Sequence, residues 1–156
     1  MNTSDCLLEQ IHRVFPADKC DIRTISPLKL AYVGDAVFEI IVRTLVLDTT
    51  GGPVKKLHRK TSSLVNAATQ SYIITTILPE LTEQEGAVFR RGRNAKTSTM
   101  SRHADIQDYR NATGLEALYG YLYLTNQTER AVNLLKYAIE RMEIPDAQKR
   151  GTNEQS

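Results

Sequence analysis

The sequence has little cysteine: two in 156 residues, Cys6 and Cys20. Neither belongs to a CxxC pair or a His/Cys cluster, which argues against a structural zinc site. Both read as free thiols of a reducing cytosol. A chain of this length buries roughly 68–70% of its unfolded surface and needs no disulfide to stay folded. A long hydrophobic run free of charge is also missing. The main apolar stretch, residues 28–47, holds Lys29, Asp35, Glu39 and Arg43. Four charges make it a poor membrane span. The N-terminus MNTSDCLLEQ has no basic segment followed by an apolar one. A secretory leader is therefore not expected, and the location reads as cytoplasmic. Nor is there a large excess of one charge. The net charge is +2 and the pI about 8.5. Composition alone does not point to nucleic acid, so the placement of charge has to decide.

What is present is a helical pattern. Apolar content of 41% and charged content of 24% are ordinary for a globular protein. Leu7, Leu8, Ile11, Val14 and Phe15 recur at 3/4 spacing and predict an amphipathic helix closed by Pro16. Ser26 and Pro27 form an N-cap and first-turn proline for a long helix to about Asp48, ended by Gly51-Gly52-Pro53. That helix is apolar nearly all round and should be buried on several sides. A third helix is expected from Val54 to about Leu78, before Pro79. Thr82 and Glu85 fit a capping box for a fourth, to about Arg91. Residues 92–104 read as an irregular polar connection. A helix over about Asp105–Thr125 is expected to bend or break near Asn111–Gly114. The last helix spans about Thr128–Met142, with Pro145 ending it. No segment reads as a strand, and no repeat is visible. The fold class is all-α: residues 1–144 form a single compact helical bundle, and 145–156 are a polar tail expected to be disordered.

Gly34-Asp35 interrupts the long helix. Gly costs roughly 1 kcal/mol there relative to Ala, and a buried acid is costly unless it is paired or binds a metal. Two readings stand: a structural acid neutralised by a nearby Arg or Lys, or a functional site. A second acid, Glu116, lies in the apolar run TGLEALYGYLYL. Two carboxylates facing each other across a core repel unless a cation lies between them. Oxygen ligands with room for water and phosphate suit Mg²⁺. Charge elsewhere is clustered. Lys55, Lys56, Arg59 and Lys60 occur without an acid among them, and so do Arg90, Arg91, Arg93, Lys96 and Arg102. Asn94, Thr97 and Ser98 lie between the latter and suit hydrogen bonds to phosphate oxygens. These stretches read either as solvated surface or as one positive patch for nucleic-acid phosphates. A metal site beside such a patch describes metal-assisted phosphodiester hydrolysis.

LAYVGDAVFE followed by YRNATGLEALYGYLYL resembles the catalytic domain of the ribonuclease III family. With LHRKTSSLVNA and FRRGRNAK, the chain is most similar to the mini-ribonuclease III subfamily, which lacks the double-stranded-RNA-binding domain. The match covers roughly residues 25–140. The remaining tail is too short for an appended RNA-binding domain of roughly 65–70 residues.

The resemblance implies a dimeric endoribonuclease domain in which Asp35 and Glu116 are the Mg²⁺-associated catalytic residues, with Mn²⁺ able to substitute. The long enzymes carry further acids where this chain has Ala31 and Thr113. The mini subfamily is similar in both departures, and Thr113 is left to act through a water. An aromatic at Tyr32 implies packing against a second copy. Two sites would then cut both strands of double-stranded RNA, leaving 5′-phosphates and short 3′ overhangs. The subfamily's usual substrate is precursor 23S ribosomal RNA; whether a ribosomal protein assists is left open. The second reading is a non-catalytic RNA-binding or ribosome-assembly module on the same fold, motivated by Ala31 and Thr113. Glu39 and Arg43 read as an i,i+4 ion pair, or as support for Asp35 on the same face. Tyr119, Tyr121 and Tyr123 read as core and interface rather than stacking platforms. Arg110 is left between phosphate binding and neutralising Glu116.

Overall fold

The computed structural model describes residues 6–18, 20–95 and 105–153, with 143–153 described by their backbone. Helices α1 (Leu7–Val14), α2 (Pro27–Thr49), α3 (Val54–Val65), α4 (Ala67–Ile77), α5 (Glu83–Asn94), α6 (Ile106–Leu124) and α7 (Thr128–Asn153) follow in order. Short 3-10 turns cover Ile22–Thr24 and Leu78–Glu80. No strand occurs among the described residues, so the all-α expectation holds. No described helix is long and apolar enough to cross a membrane.

The architecture follows from α2 and α6, the most extensively packed pair. Ser26 caps α2 by accepting from the Lys29 N–H at 3.3 Å, as its sequence predicts. The two helices cross with backbones in contact. A Cβ on Gly34 would overlap the Glu116 carbonyl oxygen and lie 2.6 Å from Gly120 N. One on Gly120 would overlap the Leu30 carbonyl oxygen. Around this crossing Leu30, Phe38, Leu115, Leu118, Tyr119 and Leu122 are fully buried. Phe38 meets Tyr119 edge-on, with centroids 5.3 Å apart and planes at 81°, an arrangement the ring quadrupoles favour. The Tyr119 hydroxyl donates to the Ala131 carbonyl at 2.8 Å and ties α7 to α6. Burial pushes that phenol far above its ordinary pKa. Helices α4 and α5 pack on the other sides of α6, and α3 packs on α2.

Three elements differ from expectation. The third helix is two helices. Asn66 ends α3 and caps α4, accepting from Thr69 N–H at 2.9 Å while donating to the Ser62 and Ser63 carbonyls, both at 3.1 Å. An Asn amide competes with the helical backbone in this way. Helix α6, by contrast, runs unbroken through Asn111–Gly114. Gly114 is not a break but a place of close approach: a Cβ there would lie 2.6 Å from the Phe89 ring. Helix α7 continues through Pro145 to Asn153, past the expected end at Met142. An interior proline removes one hydrogen bond and kinks a helix, and the following Ala147, Gln148, Lys149 and Arg150 are good helix formers. Residues 154–156 lie outside the described residues.

The capping box of α5 is present in both directions, Glu85 N–H to Thr82 Oγ1 at 3.1 Å and Thr82 N–H to Glu85 Oε1 at 2.9 Å. Glu85 is itself buried and accepts from Arg130 of α7 at 3.0 and 2.9 Å. Burial raises its pKa, but Arg130 and Thr82 outweigh that and hold it below the ordinary carboxylate value.

Candidate active site

Consecutive residues of α2 divide two tasks. Gly34 lets α6 approach, and Asp35 stands beside the crossing. On α6 the residue whose carbonyl meets Gly34 is Glu116, so the helix crossing itself brings the two carboxylates together. Burial pushes Glu116 up from the ordinary 4.5 to about 7, and the negative charge of Asp35 adds to the rise. A hydrogen bond from the Gln70 side chain works the other way. Asp35 is an exposed residue overall, contrary to the buried acid the sequence suggests. Its carboxyl nevertheless sits close enough to protein for partial burial to raise its pKa, and Glu39 one turn on raises it further. Among the described residues no ion pair reaches Asp35 or Glu116.

Glu39 is paired with Arg43, which donates from Nε at 3.0 Å and Nη2 at 2.8 Å. It therefore forms the expected i,i+4 pair and also lies within electrostatic reach of Asp35. Thr113 is half-buried, and its hydroxyl donates to the Tyr109 carbonyl at 3.0 Å, leaving its lone pairs free to accept. Ala31 is buried. Tyr119 and Tyr121 are buried and Tyr123 half-buried, which fits core rather than stacking roles. Gln70 escaped the sequence reading. Its signal is an amide one position before Ser71 and three before Ile73 on a helix with an apolar face, where a polar side chain needs a partner.

The described basic residues fall into two groups. Lys56 and Lys60 line a cleft of about 600 Å³ at the C-terminal end of α2, with Leu45, Thr49 and Met142. Lys55 and Arg59 are exposed on the same helix, α3. Arg90, Arg91 and Asn94 line a separate cleft of about 690 Å³ at the N-terminal end of α2, with Arg23 and Ser26. Arg93 is half-buried over the Phe89 ring, 5.4 Å from its centroid, and donates to Asn94 at 3.3 Å. Helix α2 is about 34 Å long at 1.5 Å per residue, so the two groups are separated along it with Asp35 between. Lys96, Thr97, Ser98, Arg102 and His103 lie outside the described residues. Arg23, paired with Asp21 at 2.9 Å, was missed because nothing in its local sequence marks it as near Arg90.

The Ribonuclease III domain family matches residues 28–127, which contain both carboxylates. The chain belongs to the ribonuclease III family. Among curated relatives it is 46% identical to the Mini-ribonuclease 3 of Clostridium tetani over 136 residues, covering 86% of this chain and 89% of that one. It is 44% identical to the Mini-ribonuclease 3 of Synechocystis, covering 85% and 87%. A crystal structure of a Fusobacterium nucleatum protein superposes with a TM-score of 0.69 at 32% identity, covering 80% of this chain and 99% of that one. The fold is that of this family, and the chain is an endoribonuclease, a hydrolase of the ribonuclease III type.

The family implies a divalent metal, and the donor set suits one. Among the described residues no cluster of three or more His, Cys, Asp or Glu occurs. Asp35 and Glu116 give two carboxylates that no described Lys or Arg pairs with. One or two carboxylates plus water and substrate phosphate is the usual surrounding of Mg²⁺.

Proposed function

We propose that the chain is a Mg²⁺-dependent, dimeric endoribonuclease of double-stranded RNA, acting in the cytoplasm on precursor 23S ribosomal RNA. One observation carries the reading: the α2–α6 crossing brings Asp35 and Glu116 together, and among the described residues neither has an ion-pair partner. Those two side chains would hold the metal, with Mn²⁺ able to substitute and Thr113 acting through a water. When bound, the metal supplies a lowered water pKa and compensates charge on the phosphate. Asp35 and Glu116 bind and orient it. Glu39, fixed by Arg43, keeps the surroundings of Asp35 negative, which favours a cation there.

The basic groups at either end of α2 would hold the duplex backbone on both sides of the site. Double-stranded RNA is bound largely through shape, phosphate and 2′-hydroxyl contacts, so Lys55, Lys56, Arg59, Lys60, Arg90 and Arg91 suit it without reading sequence. Asn94 and Arg93 would add hydrogen bonds near the second group. A second copy of the chain supplies a second site, and two-fold symmetry aims one at each strand. Products would carry 5′-phosphate and 3′-hydroxyl ends with short 3′ overhangs.

The test is cleavage of long duplex RNA and of precursor ribosomal RNA, with Mg²⁺ and with EDTA, by wild type and Asp35→Ala. Cutting is expected in the wild type with Mg²⁺ alone. Cleavage that survives Asp35→Ala would sink this assignment of the site.

A further inference from the structure

Gly86 is a buried glycine inside α5, where glycine weakens a helix. A Cβ on Gly34, Gly92, Gly114 or Gly120 would run into a neighbouring helix. A Cβ on Gly86 would instead meet the guanidinium of Arg90, with Nη1 at 3.1 Å and Cζ at 4.0 Å. The glycine thus leaves room for Arg90 to lie back along its own helix, beside Ala87 and the cleft at the start of α2. Arg23 reaches the same cleft from the turn before α2. Asp21 holds it, accepting from Nε at 3.2 Å and from Nη2 at 2.9 Å, which leaves Nη1 outside that pair. Arg91 is the third cation there, and among the described residues neither Arg90 nor Arg91 makes an ion pair. Asn94 Oδ1 accepts from Arg93, so its amide NH2 is the end left to donate.

Three guanidiniums on one cleft of about 690 Å³, with no acid among its lining residues, suit an anion of more than one charge. A backbone phosphate of a duplex is a diester with a single charge. A terminal phosphate is a monoester, with about −1.5 to −2 charges at pH 7 and three acceptor oxygens. Guanidinium forks bind such oxygens two at a time. Ser26 Oγ already accepts from the Lys29 N–H at 3.3 Å, so the arginines, not the bare end of α2, make the site. It stands apart from the metal site: Pro27 precedes Asp35 by eight residues, about 12 Å along α2 at 1.5 Å per residue. We propose that this cleft receives the 5′-terminal phosphate of an RNA strand, gripped by Arg23 and Arg90. The proposal rests on the RNA-binding reading and narrows it for this cleft. A continuous duplex lays a diester there; a strand end brings a second charge and binds tighter. The proposed cleavage itself leaves such ends, so products would compete with fresh substrate.

The test is the affinity of the whole chain for one short RNA duplex carrying either a 5′-phosphate or a 5′-hydroxyl, measured in EDTA by fluorescence anisotropy. Wild type is expected to bind the phosphorylated duplex roughly tenfold more tightly, the worth of one charge-assisted hydrogen bond. Arg23→Ala and Arg90→Ala should each bring that ratio towards one. Arg90→Lys, which keeps the charge but loses the fork, should lower it too. Lys60→Ala, at the other end of α2, should weaken both duplexes and leave the ratio as it is. A ratio of one in wild type would overturn the proposal. So would a ratio that survives both alanine substitutions, or one that falls as far in Lys60→Ala. Arg23 and Arg90 are both exposed, so the variants should melt like wild type; should one melt early, the other carries the comparison. Adenosine 5′-monophosphate that binds as tightly as the phosphorylated duplex would make a free nucleotide the ligand and overturn the assignment to an RNA end. If wild type binds neither duplex, the RNA-binding reading itself falls, and this one with it.

Discussion

Glu116 is the residue at which the environment acts most clearly on chemistry. Folding raises its pKa from the ordinary 4.5 to about 7, through burial first and Asp35 second. Without metal, the folded state therefore binds more protons than the unfolded one between those two values. The stabilising contribution is complete below about 4.5 and is lost as pH rises through about 7. Glu85 behaves oppositely. Its pKa is lowered, so its contribution is present above the unfolded value and lost as pH falls through the folded one. In EDTA, the melting temperature of the wild type should fall relative to that of Glu116→Gln between pH 5 and 7.5. A constant difference across that range would contradict the assigned shift. A divalent cation has to displace the same proton, so the Mg²⁺ concentration for half-maximal cleavage should fall roughly tenfold per pH unit below about pH 7 and then level off.

At the scale of elements, the site exists because two helices touch. Gly34→Ala puts a methyl group into the Glu116 carbonyl, where no side-chain rotation can relieve the clash. Overpacking against side chains costs about 1–3 kcal/mol, so against backbone the loss in urea unfolding should reach or exceed that range. A Gly34→Ala protein as stable as wild type would refute the close crossing. A second joint links the start of α5 to α7. Arg130→Ala leaves Glu85 buried without its cation, with an expected loss of about 3 kcal/mol, the low end for breaking a buried pair because Arg130 is partly open. Near-neutral unfolding by urea checks it. Both joints explain what the sequence discloses and what it hides. Caps are local chemistry, so Ser26, Thr82 and Glu85 are legible from spacing alone. Gly114 and Asn66 are each consistent with a break or with a continuous helix. Which of the two occurs depends on Phe89 in one case and Thr69 in the other. Asp35 and Glu116 could be paired from their apolar surroundings, but their unequal exposure depends on how α2 and α6 pack, which no local pattern contains. Gln70 was hidden for the same reason: its partner is on another helix.

The whole molecule leaves apolar surface that a single chain does not cover. Tyr32 is 82% exposed and Ile40 61%, on one face of α2 with Val33 and Ala36 between them. Helix α1 adds Leu7 and Val14, both exposed, and is held in place where Asn126 donates to Glu9 at 2.9 Å and accepts from Cys6 at 3.0 Å. A groove of about 650 Å³ lined by Leu7, Tyr32, Ala36 and Ile40 runs into another of about 520 Å³ through Ile40, Ile41 and Val132. Contiguous exposed apolar surface of this kind marks an interaction site. The dimer proposed above would seat a second copy here, because the face lies on the helix that carries Asp35 and a two-fold axis there would set two sites on one duplex. Ile40→Asp should then give a folded monomer. Sedimentation velocity would show the change of mass, and circular dichroism would show unchanged helix content. Such a monomer should still bind Mn²⁺, since Asp35 and Glu116 come from one chain, but should lose double-strand cleavage and leave at most nicks. A monomer that still cuts both strands at one position would separate the apolar face from the reaction. An Ile40→Asp protein that remains dimeric would assign the face to a different partner.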